Sequence, residues 1–169
     1  MKIRMRITGV LLIFLTCAMI GMALSLNMKR KLERLGLLRR MADEIATLIR
    51  YRSLTVREII AQLKYSSAYD DLIFLKSNDY SDRSMAVCEI WERNIVSDYT
   101  LTEEEKKALL SLGTQLGTTD TQGQLSVIAG FAAEIEKMQE RQIQKYNVKG
   151  KLYRSMGILI GAMAGIMII

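Results

Sequence analysis

The feature that most constrains this chain is an absence: none of its 169 residues is proline. Proline removes a backbone donor and clashes with the preceding turn, and average usage would supply it at about 5%. A chain without it suits long uninterrupted helices, and the apolar pattern agrees. Leu32, Leu35, Leu38, Met41, Ile45, Leu48 and Ile49 keep the three-or-four spacing of one helical stripe. Ser53 and Thr55 offer caps for a shorter stripe of Val56, Ile59, Ile60 and Leu63, and a third element carries Tyr69, Leu72, Ile73 and Leu75. Residues 78–81 read as a turn, with Ser81 or Asp82 capping a fourth helix that points Met85, Cys88, Trp91 and Ile95 inward. A fifth helix runs through Leu109, Leu110 and Leu112 to about Leu116. A last one carries Leu125, Ile128, Ala132, Ile135 and Met138, with nothing to stop it afterwards. Period-two alternation of useful length is missing, so the sequence predicts an all-α fold, an antiparallel bundle of about six helices.

Two apolar runs bracket that bundle. Residues 7–26 reach the roughly twenty apolar positions that a helix needs to cross a bilayer. The run from Met156 to the end reaches it once Leu152 and Tyr153 are counted and Arg154 snorkels toward the headgroups. The expected organisation is a transmembrane anchor over 1–26, a helical bundle over 27–151 and a second transmembrane helix over 152–169. The first run also resembles a secretory signal, with Gly21, Met22 and Ala23 as a cleavage site. The basic residues that follow it favour an uncleaved anchor. In the last helix Gly157, Gly161 and Gly165 recur every fourth residue and fall on nearly one face, as close packing between membrane helices requires. Glycine is also simply frequent in such helices.

The formal charge of +6 invites a nucleic-acid reading that its distribution opposes. Lys29, Arg30, Lys31, Arg34, Arg39 and Arg40 crowd the exit of the first apolar run, whereas acidic side chains outnumber basic ones from residue 53 to 151. Basic charge beside an apolar helix reports cytoplasmic topology and contact with anionic lipid. No basic face interleaved with aromatics is present to stack on nucleic-acid bases, so nucleic acid is not an expected partner.

The chemistry available is narrow. With no histidine, histidine-based triads and most zinc sites are excluded, and Cys17 and Cys88 suggest neither a disulfide framework nor a metal site. Phosphate-binding loops and nucleophile elbows are missing as well. We therefore assign no catalytic residue, metal ligand or cofactor. Thr102 followed by Glu103, Glu104 and Glu105 has the S/T-x-x-E form of a capping box, with its carboxylates at the positive end of the helix dipole.

The most distinctive local pattern is L-G-x-x-L-G-x-x-D-x-x-x-Q, formed by Leu112, Gly113, Leu116, Gly117, Asp120 and Gln124. Gly117 suits the left-handed conformation that ends a helix, Thr119 or Asp120 can cap the next one, and Gly113 would let another backbone come close. A tight helical hairpin is the plain reading, and a binding loop is compatible with it.

On this motif, the N-terminal apolar run, the basic first helix and the apolar last helix, the chain resembles the stage III sporulation protein AB family over nearly its whole length. Thr119 stands where that family is expected to favour serine. The resemblance implies a component of the channel complex built between mother cell and forespore, similar to the helical cytoplasmic domains of type II secretion and type IV pilus platform proteins. It implies as partners the other stage III sporulation membrane proteins, membrane lipids and an ATPase, stage III sporulation protein AA. The implied location is the mother-cell membrane with the bundle in the cytoplasm. The rivals are a membrane-proximal enzyme using Glu103, Glu104 and Glu105, and a sensor with a helical domain outside the cell.

Overall fold

The computed structural model describes residues 2–52, 54–76, 80, 85–150, 152, 155, 156, 159 and 163. Among the described residues the chain is all helical, with five α-helices: α1 Lys2–Arg52, α2 Val56–Tyr65, α3 Val87–Ser97, α4 Glu103–Gln115 and α5 Thr121–Lys145. There are two compact units, Arg34–Gln139 and the pair Met1–Glu33 with Glu140–Ile169.

In the unit Arg34–Gln139 the α1 stripe is buried as its spacing requires, at Leu35, Leu38, Met41, Ile45, Leu48 and Ile49. Thr55 starts α2 with a complete capping box: its amide donates to Glu58 Oε2 at 2.8 Å, and the Glu58 amide donates to Thr55 Oγ1 at 3.4 Å. The hydroxyl adds a bond of 2.7 Å to the same carboxylate. These bonds to Thr55 hold the Glu58 carboxyl below its usual range.

Two local expectations need correction. The third element is not a helix but two 3₁₀ turns, Ser67–Tyr69 and Ile73–Leu75. Leu72 breaks them apart at φ −92°, ψ 91°, and Ile73 faces outward while Phe74 is buried. Among the described residues five α-helices are accordingly present where about six were expected. In α3 the buried positions are Ile90, Trp91, Asn94 and Ile95, whereas Cys88 is exposed. The expected caps Ser81 and Asp82 lie outside the described residues. Leu110 is only half-buried, because α4 turns Ala108, Leu109 and Leu112 to the core. As nothing in the sequence stops it, the last helix continues beyond α5: Lys145 passes into a π-helical turn, Tyr146–Gly150, and the described residues Leu152, Ser155, Met156, Leu159 and Met163 are helical again. Its buried stripe includes Phe131, which falls between Ile128 and Ile135.

Polar groups inside this unit decide how the elements meet. Asp98, 3% exposed, closes α3. Its carboxylate accepts from the Phe74 amide at 3.2 Å and from the amide and hydroxyl of Thr100 at 2.8 and 2.6 Å. Glu105 is fully buried. It accepts from the Thr102 amide at 2.7 Å, completing the second capping box, and from Arg34 of α1 at 3.0 Å. The Tyr69 hydroxyl donates to Glu44 at 2.5 Å, and burial, with that bond second, raises its pKa above the ordinary 10.0.

In the other unit the buried Gln142 donates its side-chain amide to the Met28 carbonyl at 3.2 Å. Leu12, Leu15, Met19, Ile20, Met22, Leu24 and Leu26 of α1 are exposed, as are Leu152, Met156, Leu159 and Met163. Among the described residues no helix is long and apolar enough to cross a membrane, so the structure lends the two flanking anchors no support of its own. Gly157, Gly161 and Gly165 lie outside the described residues.

Two outcomes follow from the buried polar groups. Removing one partner of a buried pair strands the other, which costs about 3–5 kcal/mol, whereas an exposed surface change stays within about 0.5 kcal/mol. Urea melts of the full chain will therefore show Glu105→Ala strongly destabilised and Glu103→Ala close to wild type. Because Tyr69 holds its proton more tightly when folded, its contribution is complete below the unfolded pKa and is lost as pH climbs beyond it. Stability will fall above about pH 10, and Tyr69→Phe will make that fall shallower.

Candidate functional site

The L-G-x-x-L-G-x-x-D-x-x-x-Q segment forms the turn between α4 and α5 together with one wall of a cleft. Leu112 is buried in the core. Leu116 ends α4, its amide returning to the Leu112 carbonyl at 3.0 Å, and Gly117 follows at φ +81°. A side chain there would be strained by the backbone and would press on Val56 Cγ2 at 3.1 Å. Asp120 caps α5 by accepting from the Gly123 amide at 3.0 Å, and the Gln124 side chain closes the turn by donating to the Thr119 carbonyl at 3.0 Å. Gly123 is a position that sequence reasoning passed over. A Cβ there would come within 2.8 Å of both Asp120 Oδ1 and Thr119 Oγ1, so the cap forms only over a glycine.

Gly113 makes room for a side chain, not for the backbone approach its spacing suggested. The Trp91 indole lies against it so closely that a Cβ would fall on the ring, 2.6 Å from Nε1. In that seat Nε1 donates to the Leu109 carbonyl at 2.9 Å, and the ring meets Phe74 edge-on with centroids 5.3 Å apart. The helix pair α3–α4 is thereby locked at one point.

Above this seat opens an apolar cleft of about 220 Å³ lined by Ile45, Val56, Ile60, Cys88, Trp91 and Leu116, among others. It adjoins a second hollow of about 350 Å³, which shares Cys88, Trp91, Gly113 and Leu116 and adds Glu89 and Glu92. Cys88 is exposed because it stands at this opening, so its place on the apolar stripe of α3 points it at a void. Among the described residues no group of three or more metal-ligating side chains comes together. The three adjacent glutamates do not act as a unit either: Glu105 is committed to Arg34, Glu103 pairs with Lys106 at 3.6 Å, and Glu104 is exposed.

The basic positions at the start of the bundle also divide. Arg34, read from the sequence as membrane-proximal charge, is instead turned onto Glu105 and only 16% exposed in its side chain. Lys29 pairs with Glu33 at 3.5 Å and Arg39 with Asp43 at 3.2 Å, while Arg30 and Arg40 are exposed.

A family model described as stage III sporulation protein AB (spore_III_AB) matches residues 6–169. The chain belongs to that family. Comparison with the curated proteins and with the solved structures gave no match. Membership of the stage III sporulation protein AB family gives this helical bundle a role in sporulation.

Three substitutions separate the roles within the turn. Gly113→Ala must expel the indole and strand its N–H and the Leu109 carbonyl, a loss of about 2–4 kcal/mol. The single tryptophan makes fluorescence a direct monitor, and its emission will shift to the red. Gly117→Val will be crippled in the same urea melts, and Asp120→Ala will lose only about 1 kcal/mol.

Proposed function

We propose that this protein is a noncatalytic scaffold and coupling component of the channel complex between mother cell and forespore. In this reading its bundle faces the mother-cell cytoplasm and docks a partner ATPase. The observation that carries the reading is the character of the cleft. It is apolar, it lies on a locked helix pair, and among the described residues no group of three or more metal-ligating side chains comes together. Family membership supplies the setting. The other stage III sporulation membrane proteins and the ATPase stage III sporulation protein AA are the partners that this setting suggests.

The proposed anchors rest on the two apolar ends. α1 is one continuous helix whose residues Leu12, Leu15, Met19, Ile20, Met22, Leu24 and Leu26 are exposed. So long an apolar surface calls for lipid or another helix to cover it. The exposed Arg30 and Arg40 would then lie on the cytoplasmic side, near anionic headgroups. Gly157, Gly161 and Gly165 are proposed as the face through which the last helix packs against a membrane neighbour.

The enzyme reading would have to work without Glu105, whose carboxylate is taken up by Arg34 and the Thr102 amide. Its fair test is Glu103→Ala with Glu104→Ala, which leaves the core intact.

Reconstitution tests the proposal as a whole. Liposomes of anionic lipid carrying the full chain will sediment with purified stage III sporulation protein AA, and protein-free liposomes will leave it in the supernatant. A chain that fails to insert would overturn the anchors. An ATPase that stays in solution beside inserted protein would overturn the docking.

A further inference from the structure

The cleft above Trp91 has features that indicate what fills it. Its apolar part, about 220 Å³, lies below the range of roughly 300–1,000 Å³ that encloses a drug-sized ligand. It exceeds the roughly 150 Å³ that holds a benzene ring, which is room for one large side chain. The adjoining hollow lies between α3, which contributes Glu89 and Glu92, and the end of α4, which contributes Leu110 and Thr114. Those carboxylates stand three residues apart on one helix, and neither is among the ion-paired groups of the described residues.

The neighbouring cations are directed elsewhere. The Arg93 guanidinium lies 2.9 Å from the Met85 sulfur, and the Lys106 ammonium donates to the Val96 carbonyl at 3.1 Å, closing the end of α3. Among the described residues the rim is therefore acidic, with neither carboxylate in an ion pair, while the cleft itself is lined by apolar side chains. Trp91 is only 3% exposed and fixed by its hydrogen bond to Leu109 and its contact with Phe74, so an occupant meets a formed surface and does not have to order it.

We propose that this cleft docks an amphipathic helix of a partner protein that inserts one large apolar side chain between Ile60, Trp91 and Leu116 and places Lys or Arg against Glu89 and Glu92. The inference rests on the docking reading above and names the surface and the chemistry of the segment that fits it. The anchor supplies most of the affinity, since a few desolvated side chains dominate helix-in-groove binding. The carboxylates supply registry and discrimination, because a partner with acidic flanks meets two like charges.

The test uses the full chain in two assays. Cys88→Trp fills the cleft from its mouth, and Glu89→Lys with Glu92→Lys reverses its rim. All three positions are exposed, and melting curves verify that the bundle is intact. In a strain lacking the native protein, each variant at wild-type level will lower the yield of heat-resistant spores by about tenfold or more, the effect of losing one or two good contacts. Glu89→Gln with Glu92→Gln will lower it less. The same variants in liposomes will lose recruitment of the purified ATPase.

Wild-type spore yield from both variants would overturn the inference. So would loss with Cys88→Trp alone, since the occupant would then not be basic. A homodimer of the full chain that Cys88→Trp dissolves would make the occupant a second copy, and this too would overturn it. If wild-type liposomes recruit no ATPase while the pattern of spore yields holds, the choice of that ATPase fails and the cleft stands, filled by another basic partner.

Discussion

Much of this structure depends on the seat of one indole. Trp91 occupies the space that a side chain at position 113 would need, donates to the Leu109 carbonyl and meets Phe74 in a T-shaped contact. Three separate elements, α3, α4 and the turn Ile73–Leu75, are thereby registered against one rigid ring. An aromatic pair contributes roughly 0.5–1.5 kcal/mol beyond its buried area, and the buried hydrogen bond matters more for what its absence would strand than for its net worth. Because Gly113 supplies no bulk of its own, the indole takes its place in the lining of the cleft.

Around that seat, buried carboxylates do the connecting that loops would otherwise leave loose. Asp98 and Glu105 are both almost or wholly removed from solvent, yet they are satisfied differently. Asp98 takes three hydrogen bonds from neutral donors and ties the end of α3 to a turn twenty-four residues earlier. Glu105 takes one from its own cap and two from Arg34, seventy-one residues away. A buried pair of this kind adds little net stability, because desolvation offsets the attraction. It is costly to break from one side, so it favours one arrangement of α1 against α4 over others.

The same economy bears on function. Charge that might have formed a chemical site is spent on holding helices together, and the concavity that remains is apolar with an acidic edge. A surface of this kind suits the recognition of side chains, and family membership gives it a setting in sporulation. The apolar ends of the chain, exposed where the helix α1 is described, make the same demand for partners on a larger scale.

What the sequence by itself determined is what local spacing controls. The stripe from Leu35 to Ile49, the capping boxes at Thr55 and Thr102 and the left-handed Gly117 all involve residues within a turn or two of each other. Periodicity and cap chemistry suffice for those. It also carried the family, through a turn motif whose residues each have a local task. Only the tertiary structure decided which of three adjacent glutamates is buried, that Arg34 serves the core in place of the membrane surface, that Phe74 and not Ile73 turns inward, and that Gly113 receives an indole. Each of those depends on a partner that is distant in sequence. One-dimensional spacing shows which face a residue occupies, but only close packing determines what stands opposite that face.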